Sequence, residues 1–364
     1  MSKARNSSPA SLTSDSEYAG SYSAAAQRGP AKPVSIVDVA RACKCSITTV
    51  SQVMNGVAKA RISKQTRDRV QGILRRLNYS PNRMARALAS RKTWTVALVS
   101  DYDSQYPIAM AQLEIIAGIQ SVLASTHYDL TLVHRHKGAA AARSRGFDGA
   151  ILLSPRDMEE LQPFIDSGIP AIVMEPGFPV PVPSVGIDEA QAVRLQVEHL
   201  ADLGHRRIGY FGISKSPSSM RLRAEGYRRV MAELGLEPME SLFFHEPEAV
   251  FQGLASMPEA IRRDGITAVA FMSDSLAIRA LSILQTAGLR VPQEVSVVGI
   301  DGSLASQVSL PPLTTVYNAV LERSKRAADM LLARMKNADL PVEHITFGVS
   351  LVMRSSTAAP GCDD

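Results

Sequence analysis

Apolar residues recur along this chain with two different periods, and the period changes near Trp94. Before that point the spacing is helical. Ser35 and Asp38 form an S-x-x-D pair, which starts a helix, and Val37, Val39 and Ala40 are expected to form its inward face. Ser46 starts a second helix, with Val50, Val53 and Met54 at i, i+3 and i+4. Ser63 starts a third, whose apolar face is Val70, Ile73, Leu74 and Leu77. From Trp94 onward short apolar runs alternate with amphipathic stretches. Strands are expected at 95–100, 130–133, 149–153, 171–174, 207–211, 268–272 and 296–300, and helices at 109–125, 189–203, 221–235 and 275–287. Alternating βα units imply parallel sheets with helices on both faces. The set occurs twice, which implies two lobes with a ligand cleft between them. The fold class is therefore a small all-α helix-turn-helix head followed by a two-lobed α/β domain.

The second helix carries a face of small hydrogen-bonding side chains: Thr48, Thr49, Ser51, Gln52 and Asn55. Such groups reach base edges and phosphates in a DNA major groove. Two short helices joined by a tight turn, the second one polar outward, read as a helix-turn-helix. The competing reading is a helical hairpin with an ordinary solvated face. Charge separates the two. Residues 34–92 hold 13 Lys and Arg against Asp38 and Asp68, a net charge of +11, whereas the whole chain carries only +5. The basic character is thus concentrated in one small region, as a phosphate-binding module requires.

Several motifs in order carry a resemblance. They are D-V-A at 38–40, T-V-S at 49–51, V-x-N-G at 53–56, the T-R-x-R-V helix at 66–70, N-Y-x-P-N at 78–82 and A-R-x-L-A at 85–89. In these the chain resembles the LacI family of bacterial transcription regulators, and the similarity continues through almost all of the remainder. The resemblance implies a periplasmic-binding-protein-like fold for the large domain, with the chain crossing between lobes near 188–190, 318–320 and 344–346. Four segments are expected: a disordered tail at 1–33, a DNA-binding head at 34–80, a hinge helix and linker at 81–92, and an effector-binding and dimerisation domain at 93–360. One lobe then comprises about 93–189 plus 319–344, the other 190–318 plus 345–358. The expected partners are a pseudo-palindromic double-stranded operator, a second copy of the chain in a homodimer, and a small effector, a sugar or sugar derivative. The residues expected to touch DNA are Ser46, Ile47, Thr48, Thr49, Ser51, Gln52, Asn55 and Ser63, with Asn82, Ala85 and Leu88 from the hinge. There Leu88 is expected to wedge into a minor-groove step.

Ligands of open α/β sheets sit beyond the carboxyl ends of strands. Asp101, Tyr102, Glu175, Ser273, Asp274 and Asp301 lie just after expected strands, and Asp188 follows the run Ser-Val-Gly-Ile. The family match adds Arg223 from the R-L-R motif, Ser219, and Asn318 after T-T-V, and it places Glu175, Ser273 and Asp301 in the effector site as well. Each has a structural alternative. Asp188 and Asp301 could cap the loops or helices that come after them, and Arg223 could pair with Glu225 on its own helix. His199, Gly204 and His205 in E-H-L-x-x-L-G-H read as a helix end and strand entry, with no spacing suited to a metal.

Departures from the family pattern sharpen the picture. Lys44 stands at a turn position usually held by Gly, where a positive φ costs about 1–2 kcal/mol. Gln52 replaces a common Arg, and Gln suits adenine where Arg suits guanine. Two residues are inserted at Val57–Arg61. The long helix expected between Val133 and Gly149 is cut to Ala139–Arg145. Glu175 replaces the more usual Asp. Cys43-x-Cys45 reads as core thiol rather than a redox or metal pair. No P-loop, G-x-S-x-G, metal-ligand cluster or strand-linked G-x-G-x-x-G occurs. No enzyme, cofactor or metal is therefore expected. Without an apolar leader or a membrane-length run, the expected location is the bacterial cytoplasm, on the nucleoid, rather than a transport role outside the cell.

Overall fold

The computed structural model describes residues 34–54, 61–79, 92–101, 110–213, 218–244 and 249–361. Asn55, Asn82, Ala85, Leu88 and Tyr102, the expected hinge and the expected tail lie outside the described residues. The chain forms two units that divide between Arg91 and Lys92.

The first unit contains helices α1 (Ile36–Cys43), α2 (Ile47–Met54) and α3 (Lys64–Arg76). Ser35 and Asp38 close a full capping box: the Ser35 amide donates to Asp38 Oδ2 at 3.0 Å and the Asp38 amide to Ser35 Oγ at 3.3 Å. At the other end Lys44 adopts the left-handed conformation, φ 47°. The Cys45 amide reaches back to Ala40 O and the Lys44 amide to Arg41 O, a Schellman stop. The turn keeps its shape despite the missing glycine. Val39, Ala40, Cys43, Val50, Val53 and Val70 form the core. Val37 is not part of it; 45% of its surface is exposed. Positions 36, 39, 40 and 43 share one helical face, so Cys43 takes the inward place expected for Val37.

The second unit begins with β1 (Thr95–Ser100), α4 (Met110–Leu123), β2 (Asp129–His134), α5 (Arg135–Arg143), β3 (Gly149–Leu153), α6 (Met158–Ser167), β4 (Ala171–Met174), β5 (Ser184–Ile187) and α7 (Glu189–Asp202). It continues with β6 (Ile208–Ile213), α8 (Ser218–Glu233), β7 (Phe243–Phe244), α9 (Ala249–Asp264), β8 (Ala268–Phe271), α10 (Asp274–Thr286), β9 (Ser296–Asp301), α11 (Leu304–Val308) and β10 (Thr314–Tyr317). It ends with α12 (Val320–Lys336), β11 (His344–Phe347) and β12 (Ser350–Val352). Two six-stranded sheets result, ordered β11-β5-β4-β3-β1-β2 and β12-β10-β9-β8-β6-β7. All described pairings are parallel except that of the edge strand β12 with β10.

Helices cover both faces of the first sheet, so its inner strands β1, β3 and β4 are apolar on both sides. In β1, Val96 and Leu98 pack with α4 and α12, while Ala97 and Val99 face α5 and α6. The second sheet has one larger core built on β6, β8 and β9 with α7 to α10.

Two sequence expectations shift. The short crossover helix is Arg135–Arg143, not Ala139–Arg145, and comes directly after β2 with no intervening loop. Arg135 is pinned at the strand end by Asp101, Glu160 and the Leu153 carbonyl, which starts the helix there. The third crossing falls at Gly348 and Val349, not 344–346. Ladder pairing holds His344–Phe347 against β5 in the first sheet, and β12 joins the second.

Helices α4 and α12 approach closely at Gly118, where an added Cβ would stand 2.7 Å from Ser324 Cβ and 2.9 Å from Leu321 O. Backbone cannot yield as a side chain tip can. Gly118→Ala should therefore destabilise the large unit by about 1–3 kcal/mol in urea unfolding; an unchanged midpoint would show that the two helices separate freely.

Candidate functional site

A polar network lies across the carboxyl ends of the strands and joins the two sheets. Glu175 comes immediately after β4. Its Oε2 accepts from Ser154 Oγ at 2.8 Å and its Oε1 from Arg323 Nη1 at 3.3 Å. Arg323, on α12, is fully buried. Its Nε donates to the Asn318 carbonyl at 2.8 Å and its Nη2 to Asn318 Oδ1 at 3.3 Å. Asn318 Nδ2 in turn donates to Asp301 Oδ1 at 3.3 Å. Asp301 ends β9, and its Oδ2 accepts from the Asp274 amide at 3.4 Å. The chain Glu175–Arg323–Asn318–Asp301–Asp274 therefore runs from the first sheet, through a crossing, into the second.

The backbone is bent to aim these acids. Glu175 has φ 55° and Asp301 φ 139°, conformations that side-chain-bearing residues rarely adopt. Each costs about 1–3 kcal/mol and persists where surrounding contacts over-determine it, often at functional sites. Gly299 serves the same end. A Cβ there would clash with Asp274 Oδ1, so the glycine of V-V-G-I-D makes room for the Asp274 carboxylate.

A second buried pair adjoins the network. Arg223 Nε donates to Glu189 Oε2 at 2.6 Å, and Nη1 donates to the Met272 carbonyl. Nη2 has no hydrogen-bond partner among the described residues. The exposed ion pair on α8 is made by Arg221 with Glu225, so Arg223 does not pair along its own helix. Burial disfavours the charge on Arg223, but the carboxylates of Glu189 and Asp301 outweigh this and keep the guanidinium ionised. Burial also pushes the Glu189 carboxyl upward against the pull of Arg223; their 2.6 Å contact is that of an ion pair. Burial pushes the Glu175 carboxyl upward as well, but the charges of Arg323 and Arg223 and the Ser154 hydroxyl hold it below the ordinary range. Asp301 goes the other way. Burial and then the Asp274 charge lift it well above that range.

The residues expected from sequence divide into three groups. Glu175, Arg223, Asp301 and Asn318 come together in the network, and Ser219 is buried at the start of α8. Ser273 sits beside them, but its hydroxyl caps α10 by accepting from the Leu276 amide. Asp188 is exposed and caps α7, accepting from the Gln191 amide at 2.9 Å. Asp101 is engaged by Arg135 at 2.9 Å and Arg156 at 3.3 Å. Glu189 and Arg323 are not apparent from strand ends. Their signal is a charge on an apolar stripe. Glu189 shares its helical face with Ala192, Val193, Gln196, Val197 and Leu200, and Arg323 with Val320, Ala327, Ala328 and Leu331. No group of three or more His, Cys, Asp or Glu suited to a metal occurs among the described residues.

In the head, Ser46 Oγ accepts from the Thr49 amide at 3.1 Å and sits 2.9 Å from Thr49 Oγ1, which starts α2. Ser46, Ile47 and Thr48 are exposed, and Ser51 and Gln52 half-buried, opposite the core residues Val50 and Val53. Ser63 caps α3, accepting from the Thr66 amide at 3.2 Å. Cys43 is a core thiol whose pKa burial raises.

The buried charges generate two testable outcomes. Glu189→Ala and Arg223→Ala should each cost about 3–5 kcal/mol, because each strands a buried charge. The double substitution should cost clearly less than their sum, and additive losses in urea unfolding would deny the pairing. Asp301 has a folded-state pKa above its unfolded value. Its stabilising contribution is complete below the unfolded carboxylate range and is lost as pH rises through the folded value. Melting temperature should therefore show a decline over that window that Asp301→Asn removes.

Comparison with known proteins agrees with both units. Residues 35–82 match the family described as bacterial regulatory proteins, lacI family, and residues 197–357 match a periplasmic binding protein-like domain. The HTH-type transcriptional regulator GalR of Escherichia coli is 31% identical over 342 residues, covering 90% of this chain and 97% of GalR. The HTH-type transcriptional regulator CelR of Thermobifida fusca is 30% identical over 322 residues, covering 85% and 94%. Among solved structures, the lac repressor dimer bound to operator and the anti-inducer ONPF superposes with a TM-score of 0.77 at 26% identity, covering 90% of this chain and all of that one. A CelR–cellobiose complex matches with a TM-score of 0.65 at 27% identity, covering 89% and 99%. A caps-and-core helix-turn-helix, two parallel sheets bridged by a polar network, and near full-length similarity to such regulators show that this chain belongs to the lacI family of bacterial regulatory proteins.

Proposed function

We propose that the protein represses transcription by binding a specific operator as a homodimer, and that a sugar or sugar derivative bound at the carboxyl ends of the two sheets sets its affinity for that operator. The observation that carries this reading is the joining, in one chain, of an α2 whose outward face is Ser46, Ile47 and Thr48 with a buried polar network that spans two sheets. Small hydroxyls and a methyl-rich side chain suit phosphates, base edges and the thymine methyl. The network and the Arg223 fork beside it supply carboxylate acceptors and, among the described residues, an unpartnered guanidinium edge suited to vicinal hydroxyls. A solved lac repressor dimer bound to operator and a CelR–cellobiose complex support the partners.

The network also gives occupancy a way to act on the relative placement of the two sheets. Arg323 and Asn318 bridge strand ends of both sheets at a crossing, so a ligand that binds one relative placement of the sheets better than another shifts their equilibrium. The resulting change in operator affinity is a coupling free energy, and its sign decides between induction and corepression. Binding-site selection followed by gel shifts with and without cellobiose, galactose, lactose and ribose measures it. A chain that selects no DNA sequence, or whose DNA binding ignores every ligand, overturns the reading.

Gln52 tests the recognition face. Gln52→Ala should weaken cognate binding by about 1–3 kcal/mol and relax one base position. An unchanged selected consensus would show that Gln52 reads no base.

A further inference from the structure

Glu189 stands where a helix packed on a sheet needs only an apolar side chain. It is 5% exposed, lies on the same stripe as Ala192 and Val193, and leaves Oε1 without a hydrogen-bond partner. Taking a carboxylate and a guanidinium out of water costs several kcal/mol per ion, so stability alone does not account for the pair. Its electrostatic effect is definite. Arg223 brings a positive charge to the strand ends, and Glu189 cancels it at 2.6 Å.

Three other guanidiniums at the strand ends are opposed in the same way. Arg323 is opposed by Glu175, and Arg135 and Arg156 by Asp101 and Glu160. Two carboxyls are left over. Asp274 is held by the Thr315 hydroxyl and by the Ser303 hydroxyl and amide, and Asp301 by Asn318 and the Asp274 amide. Arg354, whose charge acts on Asp274, is bound to the Ser306 hydroxyl and the Leu313 carbonyl, with no carboxylate at ion-pair distance among the described residues; even so, the described carboxyls here outnumber the guanidiniums, and Arg223 has its own charge offset by Glu189. In a recess of low dielectric, like charges repel far more strongly than in water. A phosphate or carboxylate on a ligand meets that repulsion, while hydroxyl groups find acceptors to donate to and one Arg223 edge to accept from.

We propose that Glu189 sets the charge this cleft accepts: by cancelling Arg223 it restricts the cleft to uncharged polyhydroxylated ligands and turns away their phosphorylated or carboxylated forms. The proposal rests on the reading that Arg223 lies in the effector site.

Inorganic phosphate is a probe that needs no knowledge of the natural ligand. In thermal unfolding of the full chain, phosphate should raise the melting temperature no more than sodium chloride of equal ionic strength. Glu189→Gln keeps the shape and leaves Arg223 uncompensated. Phosphate should then stabilise the variant by mass action, and the added substitution Arg223→Ala should abolish that gain. Equal stabilisation of the unsubstituted protein by phosphate, or a folded Glu189→Gln protein that ignores phosphate, overturns the proposal. A calorimetric arm on the unsubstituted protein needs no variant. It compares galactose with galactose 6-phosphate, ribose with ribose 5-phosphate and cellobiose with cellobionate. Any neutral sugar that binds should do so at least about tenfold more tightly than its anionic form, and the reverse order overturns the proposal. Neutral-sugar binding that survives unchanged in a folded Arg223→Ala protein overturns instead the placement of Arg223 in the effector site, and the proposal with it.

Discussion

The large domain depends on one buried guanidinium. Arg323 has no exposed surface, and each of its nitrogens is used: two on the Glu175 carboxylate, one of these also on the Asn318 side chain, and the third on the Asn318 carbonyl. Arg is the side chain suited to this task, because its planar fork is always charged and offers donors in fixed directions. Glu175 belongs to the first sheet and Asn318 to a crossing, while Asp301, bound by Asn318, ends a strand of the second. The geometry of the strand ends is thus set by hydrogen bonds that reach across the domain, and hydrophobic packing keeps water away from them.

Burial makes this arrangement sensitive to charge. Carboxyls at equivalent strand ends are shifted in opposite directions because their surroundings differ. The charges of Arg323 and Arg223 and the Ser154 hydroxyl hold Glu175 below the ordinary range against its burial, whereas burial and then the neighbouring Asp274 charge lift Asp301 above it. The left-handed backbone at both acids adds conformational cost that the network must offset.

The head depends on simpler forces. Its capping box, Schellman stop and six-residue buried core each satisfy local backbone groups or bury local apolar surface. That simplicity leaves the outward face of α2 free to carry Ser46, Ile47 and Thr48 without structural duties, apart from the cap made by Ser46.

Much of this was legible in the chain itself. The head, the βα alternation, the family motifs and the acids at strand ends were readable because caps, periodicity and strand-end positions are local, repeating signals. Tertiary structure decided partnership. Asp188 and Glu189 are adjacent acids, yet one caps a helix in solvent and the other is buried against Arg223, 34 positions away. Arg223 ignores Glu225 on its own helix for the same reason: the i, i+4 geometry presents Arg221, not Arg223, to it. Arg135 starts its helix early because Asp101 and Glu160 hold it, and the last crossing waits until β11 has finished pairing with β5. A charge on an apolar stripe announces that a buried partner exists. Which residue that partner is depends on the packing of elements distant in sequence, and no local pattern encodes it.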